Sequence, residues 1–444
     1  MKPHTKTQTL TVYITVFITC ILFICAPAGV RAQAPLWNPL AVDVTRNLLK
    51  DLFETNAVPY IQPMITTVNA TSNAAFYNTA YIPDTNAPYV KISLRGMVGF
   101  IRDDQKSYSP TLDLGAPSQN LVTDVTRFGT IDVINRKFVI KPTYEDTLGL
   151  TMFLLREILI DAQKQGKFNL PPVAPTLFGN QPDTRVYLPP SDTLLAVLRS
   201  RQDYQALLAL SGPGLDSSLS ALVGQLSLPD YLTLPPGANM STLVAAVPQI
   251  EIGALYGTEL LLRFIPPVQF DKNIGKFAFW GVGLKHSISQ YFPERYFDLA
   301  VQGVYQGTTL TNTVGFTGSE LNATAHIASI NVHASKRLAN ILDVYSGFAY
   351  ENIDVTSTYI YIMPQEVQVK LGLLPTPPLG QAAVPTPEQP GDTKPQTSII
   401  EAGDTNVKWT VGFSLLAGPV RLFADYSISS FNIFSGGIEV VIGQ

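Results

Sequence analysis

The sequence predicts an all-β fold with a helical insertion: an antiparallel transmembrane β-barrel of about 10–12 strands, and up to about 14. Three observations carry this: long alternating segments, an export signal, and long connections that all fall at one end. In NVKWTVGFSLL, Val407, Trp409, Val411, Phe413 and Leu415 share one parity, while Asn406, Lys408, Thr410, Gly412 and Ser414 share the other. This is the period of a strand. After Ala417-Gly418-Pro419 the alternation restarts, with Val420, Leu422, Ala424, Tyr426 and Ile428 against Arg421, Phe423, Asp425, Ser427 and Ser429. Ile433 to Ile442 forms a third run, with Ile438 and Val440 about Glu439. Alternation kept over about ten residues, apolar on one face and charged on the other, suits a tilted strand crossing a bilayer; a large soluble sandwich is the competing fold.

The export signal occupies residues 1–32. Lys2 and Lys6 precede the apolar run Leu10 to Cys25, and Val30-Arg31-Ala32 presents small residues for cleavage after Ala32. Cys20 and Cys25 are the only cysteines, so the mature chain has no disulfide, thiolate metal site or cysteine nucleophile. Beyond the signal no apolar run is long enough for a transmembrane helix, which leaves periplasmic, secreted or outer-membrane destinations. Charged residues at 14% and aromatics at 10% favour a wall facing lipid, hence the outer membrane of a Gram-negative cell. A net charge of −4 argues against nucleic acid as a partner.

Taken in order, residues 33–88 read as a periplasmic arm or partial plug, with a helix through Val44, Leu48, Leu49 and Leu52 followed by a polar, turn-rich piece. Residues 89–143 hold the first barrel strands, Tyr89 to Ile101 and, less regularly, Ile131 to Ile140. Residues 144–246 form an external helical insertion. Leu148, Met152, Leu155 and Leu159 recur at helical spacing, and Leu194, Leu195, Leu198, Leu207 and Leu208 follow the capping residues Ser191 and Asp192. Residues 247–444 supply the main strands, with a bulge at Gly307, where apolar parity changes, and a mobile proline-rich loop over 363–397. If Ile341 to Ile362 is one strand, every long connection lies at one end. That is the external and periplasmic pattern of bacterial barrels.

The residues on lumen parity are Lys91, Arg95, Glu259, Arg263, Asp298, Lys408, Arg421, Asp425 and Glu439. They either set the field of an open channel or pair across a filled interior. His286, His326 and His333 are spaced for structural roles rather than for a shared metal, and no HExxH, GxSxG or phosphate-binding loop is present. No catalytic residue, metal ligand or cofactor is expected.

The segment GTELLLRFIPPVQFDKNIGKFAFWGVGLKHSISQYFPERYFDLAVQGVYQ, residues 257–306, resembles a barrel family known as domain of unknown function 6588, as do FYNTA at 76–80 and VYSGFAYE at 344–351. A wider likeness is to barrels of the long-chain fatty-acid transporter type. The resemblance implies outer-membrane lipid and the barrel-assembly machinery as partners, although the chain ends Ile442-Gly443-Gln444 where a terminal aromatic is usual. The expected function is a passive channel or transporter for a small solute, with hydrophobic solutes among the candidates. The alternatives are a partner-binding barrel acting through its insertion and loops and, third, a barrel lipid hydrolase.

Overall fold

A computed structural model describes residues 37–443 except 84–86, 182–183, 254–255, 272–274, 293 and 315–318. The signal segment and its cleavage point lie outside the described residues.

Ten antiparallel strands close into a barrel: β1 (Tyr89–Phe100), β2 (Thr242–Gly253), β3 (Thr258–Asp271), β4 (Gly275–Ser287), β5 (Asp298–Val314), β6 (Ser319–Leu338), β7 (Leu342–Tyr361), β8 (Gln396–Ala417), β9 (Val420–Ile428) and β10 (Ile433–Ile442). Each strand pairs with its sequence neighbours, and β1 closes the circle by pairing with both β2 and β10. The parity rule holds along the wall. Val407, Trp409, Val411, Phe413 and Leu415 face outward, while Asn406, Lys408, Thr410 and Ser414 are buried inside. Residues 342–361 form one strand, as the topology requires.

The strand count is ten rather than twelve, because Ile131 and Ile140 do not belong to the wall. Gly129–Asp132 and Lys137–Ile140 pair only with each other. At four residues each they are too short to cross a bilayer, and Ile131 and Phe138 instead pack on the cap. Of the segment 89–143, therefore, only Tyr89–Phe100 is barrel wall, and the insertion runs from 101 to 241. Gly307 carries no bulge: its pairing with Trp280 and His326 lies within continuous registers. A Cβ at this position would lie 2.5 Å from the Trp280 indole nitrogen, so the glycine makes room for that ring. The parity change arises because Leu310 turns inward where β5 rises toward the cap.

The insertion folds over one mouth. Helices α2 (Tyr144–Lys164), α3 (Ser191–Ser200), α4 (Gln202–Ser211) and α5 (Gly214–Gln225) share an apolar core with the first half of helix α1 (Pro39–Ser72). The proline-rich loop joins this core. It opens with the short helix α6 (Gln365–Lys370), and Met363, Val367, Leu371 and Leu373 are buried. Its mobile character is thus corrected, for its first part, to a packed one.

Helix α1 is the largest departure from the sequence reading. It runs 34 residues, about 51 Å at 1.5 Å per residue, without a break at Pro59 or Pro63. An interior proline costs roughly 3 kcal/mol in an isolated helix. Here tertiary burial on both sides of the prolines offsets it, and the Tyr60 carbonyl accepts an additional bond from Leu177 N–H at 3.0 Å.

Candidate functional site: the occupied lumen

Helix α1 descends from the cap into the barrel. Asn38 donates to the Gln225 carbonyl at 3.1 Å, Arg46 pairs with Asp392 at 2.8 Å, and Phe53 stacks on Tyr359 with ring centroids 4.3 Å apart. Further down, Gln62 donates to the Gly403 carbonyl and Asn69 to the Asp404 carboxylate, each at 3.1 Å. The helix ends inside the barrel at Ser72, and residues 73–82 continue through the interior, nearly all buried.

Wall cations meet this helix end. Arg263 donates to the carbonyls of Ser72 at 3.0 Å and of Ala74 and Ala75 at 2.9 Å each, and its guanidinium lies 4.2 Å from the Phe76 ring centroid. Arg95 donates to the same Ala75 carbonyl at 2.8 Å, and Lys408 donates to the Asn73 carbonyl at 2.6 Å. The last carbonyls of a helix have no partner within it and carry the negative end of its dipole, so cations are the appropriate cap. Ala75 has φ 54°, an unfavourable value for a residue with a side chain, which aims its carbonyl at two arginines.

Beyond Ala75 the FYNTA run occupies the rest of the lumen. Tyr77 stacks on His333 at 3.9 Å between centroids. A Cβ on Gly347 would lie 2.5 Å from the Tyr77 hydroxyl, so glycine is needed there. Asn78 donates to Glu439 and accepts from Arg421, both at 2.9 Å. The Ala80 N–H donates to Ser335 Oγ at 2.8 Å.

Around the plug, ionic groups pair across the wall. Lys91 and Lys285 both contact Glu259, and Lys91 lies 3.4 Å from Glu251. Arg95 bridges Glu251 at 3.2 Å and Glu439 at 3.0 Å, Arg421 lies 3.5 Å from Asp343, and Lys408 pairs with Glu351. Among the described residues, Lys91, Arg95, Arg263, Lys285, Lys408 and Arg421 are buried in the barrel with Glu251, Glu259, Asp343, Glu351, Asp425 and Glu439. The cations and anions balance. A set balanced in sign, ten of whose twelve members form ion pairs while Arg263 binds carbonyls and Asp425 accepts from the Tyr345 hydroxyl, gives the interior no single-sign field with which to select an ion.

A family model described as a family of unknown function (DUF6588) matches residues 11–442. This chain belongs to that family. No curated protein matches it. Among solved structures, the crystal structure of Ail, the attachment invasion locus protein of Yersinia pestis, is similar over 42% of this chain and 93% of that one, at 9% identity and a TM-score of 0.21.

In this DUF6588 barrel, eight of the nine lumen-parity charges named from sequence lie buried inside: Lys91, Arg95, Glu259, Arg263, Lys408, Arg421, Asp425 and Glu439. Asp298 does not join them. It begins β5 at the rim, half-buried, 3.4 Å from Arg295. Glu251, Lys285, Asp343 and Glu351 were missed, although each sits on the inward parity of its strand: Glu251 with Gln249, Lys285 with Gly281 and Gly283, Glu351 with Ala349. The histidines separate. His286 contacts Thr258 Oγ1 and the Tyr291 hydroxyl at 2.9 Å, His326 lies outside beside Tyr305, and His333 is within the lumen.

Proposed function

We propose that this chain is an outer-membrane barrel closed by its own N-terminal segment, which presents the cap at the cell surface and acts by binding a partner there. The observation that carries this reading is the satisfaction of the plug's backbone carbonyls by Arg263, Arg95 and Lys408. Withdrawing the plug would remove at once the carbonyl partners of all three cations, leaving Arg263 with Gln249 alone, a cost of several kcal/mol. Passive conduction therefore ranks below partner binding. The outward apolar belt, including Phe264, Leu284, Phe348 and Phe434, suits lipid. On the cap, Val133 and Ile134 stand exposed at a hairpin tip, and Leu379 and Val384 stand exposed in the proline-rich loop.

A second reading is gated transport of a hydrophobic solute. It is favoured by an apolar depression of about 600 Å³ on the outer wall, lined by Phe297, Val344, Val411, Phe413, Tyr426 and Phe434. Proteoliposomes decide between the two. The proposal expects no faster uptake of a labelled fatty acid or small sugar than with empty vesicles, and faster uptake would replace it with the transport reading.

A further inference from the structure

We infer that the barrel is the conduit for its own N-terminal segment, so that the start of α1 at Pro39 lies on the outer face of the membrane while β1 begins on the periplasmic side. This rests on the outer-membrane reading above.

The direction of threading follows from landmarks along β8. Glu54 meets Ser398, Gln62 meets Gly403, Asn69 meets Asp404, Asn73 meets Lys408 and Asn78 meets Ser414. As residue number rises in α1 and the segment after it, the chain moves steadily from the cap end of β8 toward its Ala417 end. The chain then leaves the lumen, and β1 starts at the far mouth, where Tyr89 pairs with Gly253 and Val90 with Ile442. That far mouth also holds the short turns at 339–341 and 418–419, whereas the cap end holds residues 101–241 and 362–395. Short turns mark the periplasmic end of a bacterial barrel and long connections its external end.

Pro39 and Tyr89 therefore occupy opposite sides of the membrane, joined through a closed wall. An N-terminal segment that had simply stayed in the periplasm would enter from the turn end and meet β8 in the reverse order. The polar face of the lower helix serves this placement: Asn69, Thr67 and Asn73 are buried against the wall, so the segment is built to remain in transit through a polar lumen.

The test uses the full chain in cells and an impermeant maleimide, because the mature protein has no cysteine after cleavage at Ala32. Single variants Pro39→Cys, Ile134→Cys and Ala417→Cys are each checked for a heat-modifiable barrel, and an epitope inserted before Trp37 gives a second reading by antibody. The inference expects Pro39→Cys and Ile134→Cys to label on intact cells, Ala417→Cys to label only after permeabilisation, and antibody to bind intact cells. Labelling of Ile134→Cys but not Pro39→Cys on intact cells, with no antibody binding, would overturn the threading alone. Labelling of Ala417→Cys but not Ile134→Cys would reverse the barrel and overturn the inference. Fractionation of all variants away from the outer membrane would remove the reading on which it rests.

Discussion

The two halves of α1 are buried comparably, but in different proportions of apolar packing and directed hydrogen bonds. From Leu40 to Leu52 the helix lies mainly among leucines and valines of the cap, and its contacts there are largely apolar and non-directional, with ion pairs such as Arg46–Asp392 at its edge. From Thr67 onward Ala70 still packs on apolar wall residues such as Met97 and Phe431, but the chain also meets arginine, lysine, asparagine and glutamine through hydrogen bonds of fixed geometry. The upper half is stabilised by surface removed from water, which tolerates small shifts. The lower half depends more on pairing, since one lost partner leaves another group buried and unsatisfied. One helix thus joins a deformable cap to an interior that fixes it in one position.

Deleting one partner in the lumen gives the largest expected effect. Lys408→Met leaves Glu351 without its cation and the Asn73 carbonyl without its donor. The account expects a loss of about 3–5 kcal/mol, read as a lower urea midpoint in micelles and as faster amide exchange over residues 69–80. Unchanged exchange there would break the comparison. Leu48→Ala in the cap is expected to cost about 2–5 kcal/mol as an ordinary cavity. Exchange should quicken across residues 40–52 and α2 while 69–80 stay protected, and loss of protection in both halves would show that they are not separable.

Acid offers a milder probe of the cap alone. The hydrogen bond from Arg201 holds the Asp203 carboxyl below the usual carboxylate range. A lowered folded pKa means that the stabilisation is present above the unfolded value of about 3.9 and is lost as pH falls through the folded value. Cap exchange should therefore rise below about pH 4 in the native chain, and less so in Asp203→Asn; equal acid sensitivity would remove Arg201–Asp203 from the account. Ala75→Gly is the smallest change. Relief of the positive φ and the added freedom of the unfolded chain nearly cancel, within about 1 kcal/mol, and a larger loss would mean that the alanine methyl matters to packing.

The wall was legible in the sequence because its period of two survives wherever one face meets an apolar environment and the other a polar one, as from Val407 to Leu415. The lower half of α1 was not, because it buries polar residues as well as apolar ones. Thr67, Asn69, Thr71 and Ser72 are buried beside Ile65 and Ala70, so the apolar stripe thins beyond Leu52, and Pro59 and Pro63 read as a stop. The missed charges are a matter of bookkeeping: Glu251, Lys285 and Glu351 follow from extending the same parity, whereas Asp298 shows that parity near a strand end does not decide burial. Pairing of 129–140 with itself was illegible for a different reason, since two four-residue strands alternate as well as a wall strand does.

Single-channel recording in planar bilayers tests the central claim most directly, with the native chain beside a variant lacking residues 37–82 that still runs as a heat-modifiable barrel. The account predicts a native chain without steady openings and a variant with discrete, resolvable steps. Steady openings of equal size from both would contradict it, because the plug would then not be what closes the lumen.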